Sequence, residues 1–193
     1  MANLPEEKTT NAFKNYFDSM SKNVLTEDFF NITLIGLEGL ETTNSKSPAF
    51  LAYIATQNIL EAHVLFSKTS LSTRTLYQEW TSGVRKAVEL HHLYPKAYLK
   101  NVLGLKQKQI NQVANYAFIE WPDNMDISDE APSSYFPKLT AGRSMDDIQK
   151  VESEHALPLD WENMNYEDFL FARRKNMAKI IRKGYEKLNL WDK

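Results

Sequence analysis

Only two stretches of this chain have the make-up of β-strands, and helical patterns surround them. Lys86 to Leu90 alternates apolar and polar residues and runs straight into His91 and His92. Tyr116 to Trp121 (YAFIEW) alternates and is rich in aromatic and β-branched side chains, as strands are. The stretches predict a mainly α fold with a small ββα insert: a helical domain surrounding a two-stranded hairpin and a helix. The expected organisation is a helical region over 1–84, a central unit over 85–139, and a loop plus a basic amphipathic helix over 140–193 that packs on the helical region.

The helical signals are local. Asn11 to Met20 reads as a short helix. Thr26 is an N-cap candidate for another through Phe29, Phe30, Leu34 and Leu37. Ser47 followed by Pro48 pairs a capping hydroxyl with proline at the first helical position. Leu51, Ala55, Ile59, Ala62 and Phe66 follow at helical spacing, with His63 expected as a packing residue. Residues 72–82, 97–99, 107–114 and 132–136 read as shorter helical pieces, with Asn111 read as a polar helix position and, alternatively, as a further candidate beside the histidine pair. Residues 141–160 look polar and irregular, with His155 in a loop. Asn165 is placed to cap a last helix whose apolar face runs from Tyr166 through Phe169, Leu170, Met177, Ile180, Ile181, Gly184 and Tyr185 to Leu188.

Composition narrows the chemistry. The 193 residues contain no cysteine, which removes disulfides, thiolate metal sites and cysteine nucleophiles and fits a cytoplasmic location. The formal charge is -2, so phosphate contacts need a local basic patch. Lys96 and Lys100 near the histidine pair, and Arg173 and Arg174 on the last helix, are the candidates. Lys175, Lys179, Arg182 and Lys183 share that helix. The most apolar window, residues 49–66, contains Gln57, Asn58, Glu61 and His63 and is too polar to span a bilayer.

Phosphodiester hydrolysis needs a base for the attacking water and positive charge on the phosphoryl and leaving oxygens. A neutral histidine can supply the first and a metal ion the second. Adjacent histidines on a strand point to opposite faces, so one can face the water and the other the metal. An asparagine carbonyl is a hard oxygen ligand, and a second asparagine can orient the base. Glu89 is a candidate second partner for a histidine.

These residues carry a resemblance. The segments ELHHLYPKAYL, NQVANYAFIEWPDN and APSSYF resemble the HNH (ββα-metal) domain at the C-terminus of GmrSD-like type IV restriction endonucleases, and the HNH domain of RNA-guided DNA nucleases. The shared pattern is a His-His pair with a following proline (Pro95), then Asn115, Asn124 nine residues on, and Pro132-Ser133 eight beyond that. The closest match covers about 85–139, and a weaker one runs from Ser47 onward.

The resemblance implies a DNA endonuclease of anti-phage defence, acting on foreign or modified DNA. It implies His92 as general base, His91 and Asn124 as metal ligands, and Asn115 as the residue that positions His92. It also implies magnesium or manganese, with nickel or zinc admitted by the imidazole ligand. Full-length relatives carry an N-terminal nucleotide-dependent domain with an Asp-Gly-Gln-Gln-Arg motif that this chain lacks; the expectation is either an excised C-terminal half or a stand-alone relative, and an oligomer is compatible with both. The stretch around Asn124 is acidic (Glu120, Asp123, Asp126, Asp129, Glu130). That leaves open a non-catalytic, HNH-shaped binding or assembly module, and RNA remains open as a substrate.

Overall fold

The computed structural model describes residues 27–37, 39–67, 71–73, 88–120, 127 and 129–189. The expected helix over 11–20, most of the one over 72–82, and Asn124 lie outside them. Within them the chain is mostly helical around one two-stranded antiparallel sheet. A π-helical turn, Phe29–Thr33, comes first. Helix α1 (Pro48–Ile59) is followed by strand β1 (Val88–His92). Two short helices, α2 (Lys96–Asn101) and α3 (Gln107–Ile110), lead through the 3-10 turn Val113–Asn115 into strand β2 (Tyr116–Glu120). Helices α4 (Pro132–Leu139), α5 (Met145–Glu154) and α6 (Tyr166–Asn189) complete the order.

Two strands alone are marginal in water, so the sheet depends on its surroundings. The register runs from Val88 opposite Glu120 to His92 opposite Tyr116. Leu65 extends the sheet beyond β2, its N–H donating to the Phe118 carbonyl at 3.1 Å. Ala117 and Ile119 face inward and are buried. The core they join draws on residues from Phe30 to Ile181, so all three expected regions share one interior. Its centre is aromatic: Trp161, Tyr135 and Phe169 are fully buried and pack with Tyr94 and Phe136.

Helix α1 begins as its sequence predicts, with the Ser47 hydroxyl accepting from the Phe50 N–H at 3.3 Å. Its buried face differs from the predicted stripe. Phe50, Tyr53, Ile54, Thr56 and Gln57 turn inward, whereas Leu51 is 51% exposed. The helix stops at Ile59, so Ala62, His63 and Phe66 lie beyond it. Gln57 is buried because its amide is satisfied: Nε2 donates to the Tyr53 hydroxyl and the Glu154 carbonyl, both at 3.2 Å. An apolar pattern cannot flag such a residue. Thr56 faces Gly184 on α6, the bare spot that lets α1 and α6 approach.

Residues 141–160 are more ordered than predicted. Ser144 caps α5, its hydroxyl accepting from the Asp147 N–H at 3.1 Å. His155 lies just past the end of α5, outside the helix as expected, and is buried there at 1% exposure. Its Nε2 lies 2.7 Å from the His63 carbonyl, an acceptor only, so Nε2 carries the proton. His63 in turn pairs with Glu154 through Nδ1 at 3.0 Å. Asn165 caps α6 as predicted, its Oδ1 accepting from the Asp168 N–H at 3.0 Å.

A β-carbon at Gly184 would overlap the Thr56 side chain. Gly184→Ala is expected to cost about 1–3 kcal/mol through overpacking, and adding Thr56→Ala should recover most of the loss in urea unfolding. Burial, the main cause, lowers the His155 pKa to about 4. The unfolded state, with an ordinary value near 6.5, then binds more protons across pH 4 to 6.5, so stability falls as the solution is acidified through that window. The slope is about 1.4 kcal/mol per pH unit. His155→Gln should flatten the pH dependence of unfolding, and an unchanged slope would reject this assignment.

Candidate active site

Strand β1 delivers His91 and His92 to the end of the sheet. His92 sits against Tyr116, its partner in register, with ring centroids 4.7 Å apart and nearly perpendicular. Its Nε2 lies 3.1 Å from Asn111 Oδ1. An amide oxygen only accepts, so Nε2 carries the hydrogen and Nδ1 holds the lone pair. The pKa of His92 is lowered, mainly by burial; the Asn111 contact opposes this and the Lys96 ammonium adds to it. The ring is therefore neutral at pH 7, with one nitrogen fixed as donor and the other as acceptor, as a general base requires. His91, opposite Ala117, occupies the next position on the strand, and alternation sends its side chain to the other face.

Asn115 is fully buried but does not reach the ring of His92. Its Oδ1 accepts from the Tyr94 N–H at 2.8 Å, and its Nδ2 donates to the carbonyls of Tyr94 at 3.1 Å and Ile110 at 3.4 Å. The expected positioning role of Asn115 toward His92 runs through the backbone rather than the ring: Asn115 clamps the segment after His92, and Asn111 contacts the imidazole. Asn111 follows the last residue of α3, where a ψ of 45° takes the chain out of the helix. Its nearness to the histidine pair in sequence makes it a candidate, but the contact itself depends on the helix ending at Ile110 rather than running on to 114.

The loop after the histidines has further anchors. The Leu93 N–H donates to the Asn115 carbonyl at 2.8 Å, and the Tyr135 hydroxyl of α4 donates to the Leu93 carbonyl at 2.6 Å. The Tyr94 hydroxyl lies 2.8 Å from the carbonyls of both Trp161 and Met164. Pro95 then opens α2, which leaves Lys96 and Lys100 exposed.

The cationic candidates divide. Arg173 is fully buried, donating to the Ala114 carbonyl at 2.8 Å and the His155 carbonyl at 3.2 and 3.3 Å. Arg174 is 9% exposed, beside Glu41. Neither forms an open phosphate-binding surface, which corrects that expectation. Helix periodicity places them on the inward face, where the guanidinium of Arg173 ties α6 to two carbonyl groups. Arg182 pairs with Glu27 and Glu186, while Lys175 sits over the Phe171 ring at 4.1 Å. Glu89 lies in β1 opposite Ile119; its side chain, like Asn124, lies outside what is described. Among the described residues, no three His, Asp or Glu side chains gather around a common point, and no helix is long and apolar enough to cross a membrane.

No family model, curated protein or solved structure matches this chain.

The two asparagines should separate on substitution. Asn115→Ala leaves the Tyr94 N–H and carbonyl without their partner, at about 1–3 kcal/mol each before relaxation, and takes one of two partners from the Ile110 carbonyl, so it should lower the midpoint of urea unfolding sharply. Asn111→Ala removes one partly buried contact and should shift it far less. Equal midpoints for the two variants would contradict this division.

Proposed function

We propose that this chain is a metal-dependent endonuclease domain of the HNH type, hydrolysing phosphodiester bonds in DNA. The observation that carries it is the neutral His92 whose Nε2 is held by Asn111, at the end of a strand in the order strand, loop, strand, helix. A base in that state suits removal of a proton from water. The resemblance of the His91 to Pro132 stretch to GmrSD-like nucleases supports the reaction class and a role in restriction of foreign or modified phage DNA in the cytoplasm. It also supports the ββα-metal character of the insert and a partner domain that uses nucleotides.

In this reading His92 Nδ1 takes the proton from the attacking water while Asn111 keeps the ring oriented. Lys96 disfavours the resulting imidazolium and so promotes proton release in the next step. Lys96 and Lys100 are exposed beside the site and available to phosphate. The donor set proposed for a divalent cation is the His91 imidazole and the Asn124 amide oxygen. It fits magnesium or manganese, and nickel or zinc, because two protein ligands leave positions for water and phosphate oxygens. When bound, the cation would supply positive charge to the phosphoryl group. Clamping of the Leu93–Tyr94 backbone by Asn115 and Tyr135 fixes where β1 presents both histidines.

Plasmid nicking with magnesium, manganese or nickel tests the proposal. His92→Ala should lose about 10²- to 10⁴-fold in rate. Asn111→Leu should lose about 10- to 100-fold as a positioning residue. Asn111→Asp should move the acid limb of the pH–rate profile upward, because a carboxylate stabilises the imidazolium. Wild type and His92→Ala equally inert on DNA and RNA with every metal would overturn the proposal and leave a non-catalytic binding or assembly module. Cleavage confined to RNA would replace the substrate.

A further inference from the structure

A cleft of about 300 Å³ lies beside the segment that holds His92, lined by Glu41, Leu105, Gln112, Tyr166, Glu167 and Arg174. Its volume is at the lower end for small-ligand pockets, about 300–1,000 Å³. Two of its side chains have unmet hydrogen-bonding capacity. Arg174 is 9% exposed, and its Nε is buried with no hydrogen-bond partner among the described residues. Gln112 Oε1 is likewise buried and unpartnered there. The Gln112 amide is not free to turn over, because its Nε2 donates to the Lys108 carbonyl at 3.0 Å. The Arg174 guanidinium comes no nearer than 4.0 Å to Glu41, too far for a hydrogen bond. Buried polar groups without partners are uncommon and call for an explanation.

The charges in the cleft select the ligand. A simple anion would suit Arg174 but meet the carboxylates of Glu41 and Glu167. A simple cation would suit the carboxylates but meet Arg174. A neutral, planar heterocycle with an acceptor edge and a donor edge satisfies both. Guanine has this arrangement: adjacent acceptors O6 and N7 match a guanidinium fork, and its N1–H and N2–H groups match a carboxylate and an amide oxygen. Adenine sets a donor beside its N7, which a guanidinium, having only donors, cannot match at both atoms. An adjoining groove that shares Glu41, Gln109 and Gln112 brings in Lys106 and Lys108, both exposed cations suited to a nucleotide's phosphate.

We propose that this cleft is a guanine-nucleotide site, with the base between Arg174 and the Gln112–Glu41 side and its phosphate toward Lys106 and Lys108. The guanine can come from a free nucleotide or from one turned out of a nucleic-acid strand, as enzymes that read single bases do. Segment 109–112 connects the cleft to His92: Gln109 and Gln112 form its wall, and Asn111 between them holds the imidazole. The Tyr166 hydroxyl fastens the same segment, lying 3.1 Å from the Gln109 carbonyl and 3.0 Å from that of Ile110. Binding at the site is measured without cleavage, so it stands or falls separately from the nuclease proposal.

Calorimetric titration of the full chain tests it with guanosine monophosphate, adenosine monophosphate and inorganic phosphate. A short thymidine oligomer with one central guanine is compared with the all-thymidine oligomer. Guanosine monophosphate should bind about tenfold or more tighter than the adenosine nucleotide or phosphate. Gln112→Leu and Glu41→Gln, both at partly exposed positions, should each weaken it about tenfold with unchanged melting temperature. Preference for the guanine-bearing oligomer would assign the site to nucleic acid, and its absence alongside nucleotide binding would assign it to the free nucleotide. Equal affinity for the two nucleotides, phosphate binding as tight as the nucleotide, no binding at all, or guanine affinity that survives both substitutions would overturn the proposal.

Discussion

The amide of Asn115 is the interaction on which the rest of the central unit depends. A two-stranded sheet has too little hydrogen bonding to define its own ends. Here β1 and β2 are separated by more than twenty residues, including two short helices, so no tight turn sets the register. Asn115 takes that role from inside. One buried side chain uses its acceptor on the Tyr94 N–H and its donors on the Tyr94 and Ile110 carbonyls. It thereby ties the exit of β1, the end of α3 and the entry to β2 to one point. Inside a protein such bonds are stronger than in water, and leaving any of them unmade is costly, so the amide imposes a single local arrangement.

His92 inherits its geometry from that arrangement. With Ile110 held by Asn115 and by Tyr166, the next residue, Asn111, has a fixed backbone from which to reach His92. The imidazole is thus held through two asparagines in series: one fastens the backbone, the other the ring. Long-range contacts reinforce the first link. Tyr135 on α4 and Tyr94 bring the Leu93 carbonyl and the Trp161–Met164 turn into the same network. Rigid support of this kind is what the role proposed for His92 would need, because a displacement of about 1 Å can cost about 10²-fold in rate.

The legible parts of the sequence were those governed by local rules. Ser47-Pro48, Asn165-x-x-Asp168 and the YAFIEW alternation each produced the expected element, because capping and alternation depend on residues a few positions apart. The misread parts depend on contacts distant in sequence. Gln57 and Arg173 are polar by type yet buried, since their partners are the Glu154, His155 and Ala114 carbonyls, which only the fold brings near. The α1 stripe was displaced for the same reason: Leu51-Ala55-Ile59 and Phe50-Tyr53-Ile54-Gln57 are both acceptable helical faces, and the bare surface at Gly184 together with the amide needs of Gln57 decides between them. The histidine pair stands out in the sequence, but the division of contacts between Asn111 and Asn115 does not. Both are asparagines on the approach to β2, and what separates their roles is the end of α3 at Ile110.

Burial of Arg173 shows how electrostatics and packing are balanced in this fold. An ionised guanidinium removed from water is costly unless its donors are matched. The structure meets that demand with carbonyl dipoles rather than a carboxylate, one from the 3-10 turn before β2 and one from the end of α5. The same positive charge lies near His155 and helps keep that imidazole neutral. A neutral His155 can hold the His63 carbonyl through one nitrogen and meet the Gln57 amide through the other at 3.4 Å. The cation on α6 therefore acts as an interior crosslink between α5, the sheet entry and α6. That is why α6, basic in composition, presents less positive charge at its surface than its sequence suggests. Lys96 and Lys100, on the short helix after the histidines, by contrast keep their side chains exposed.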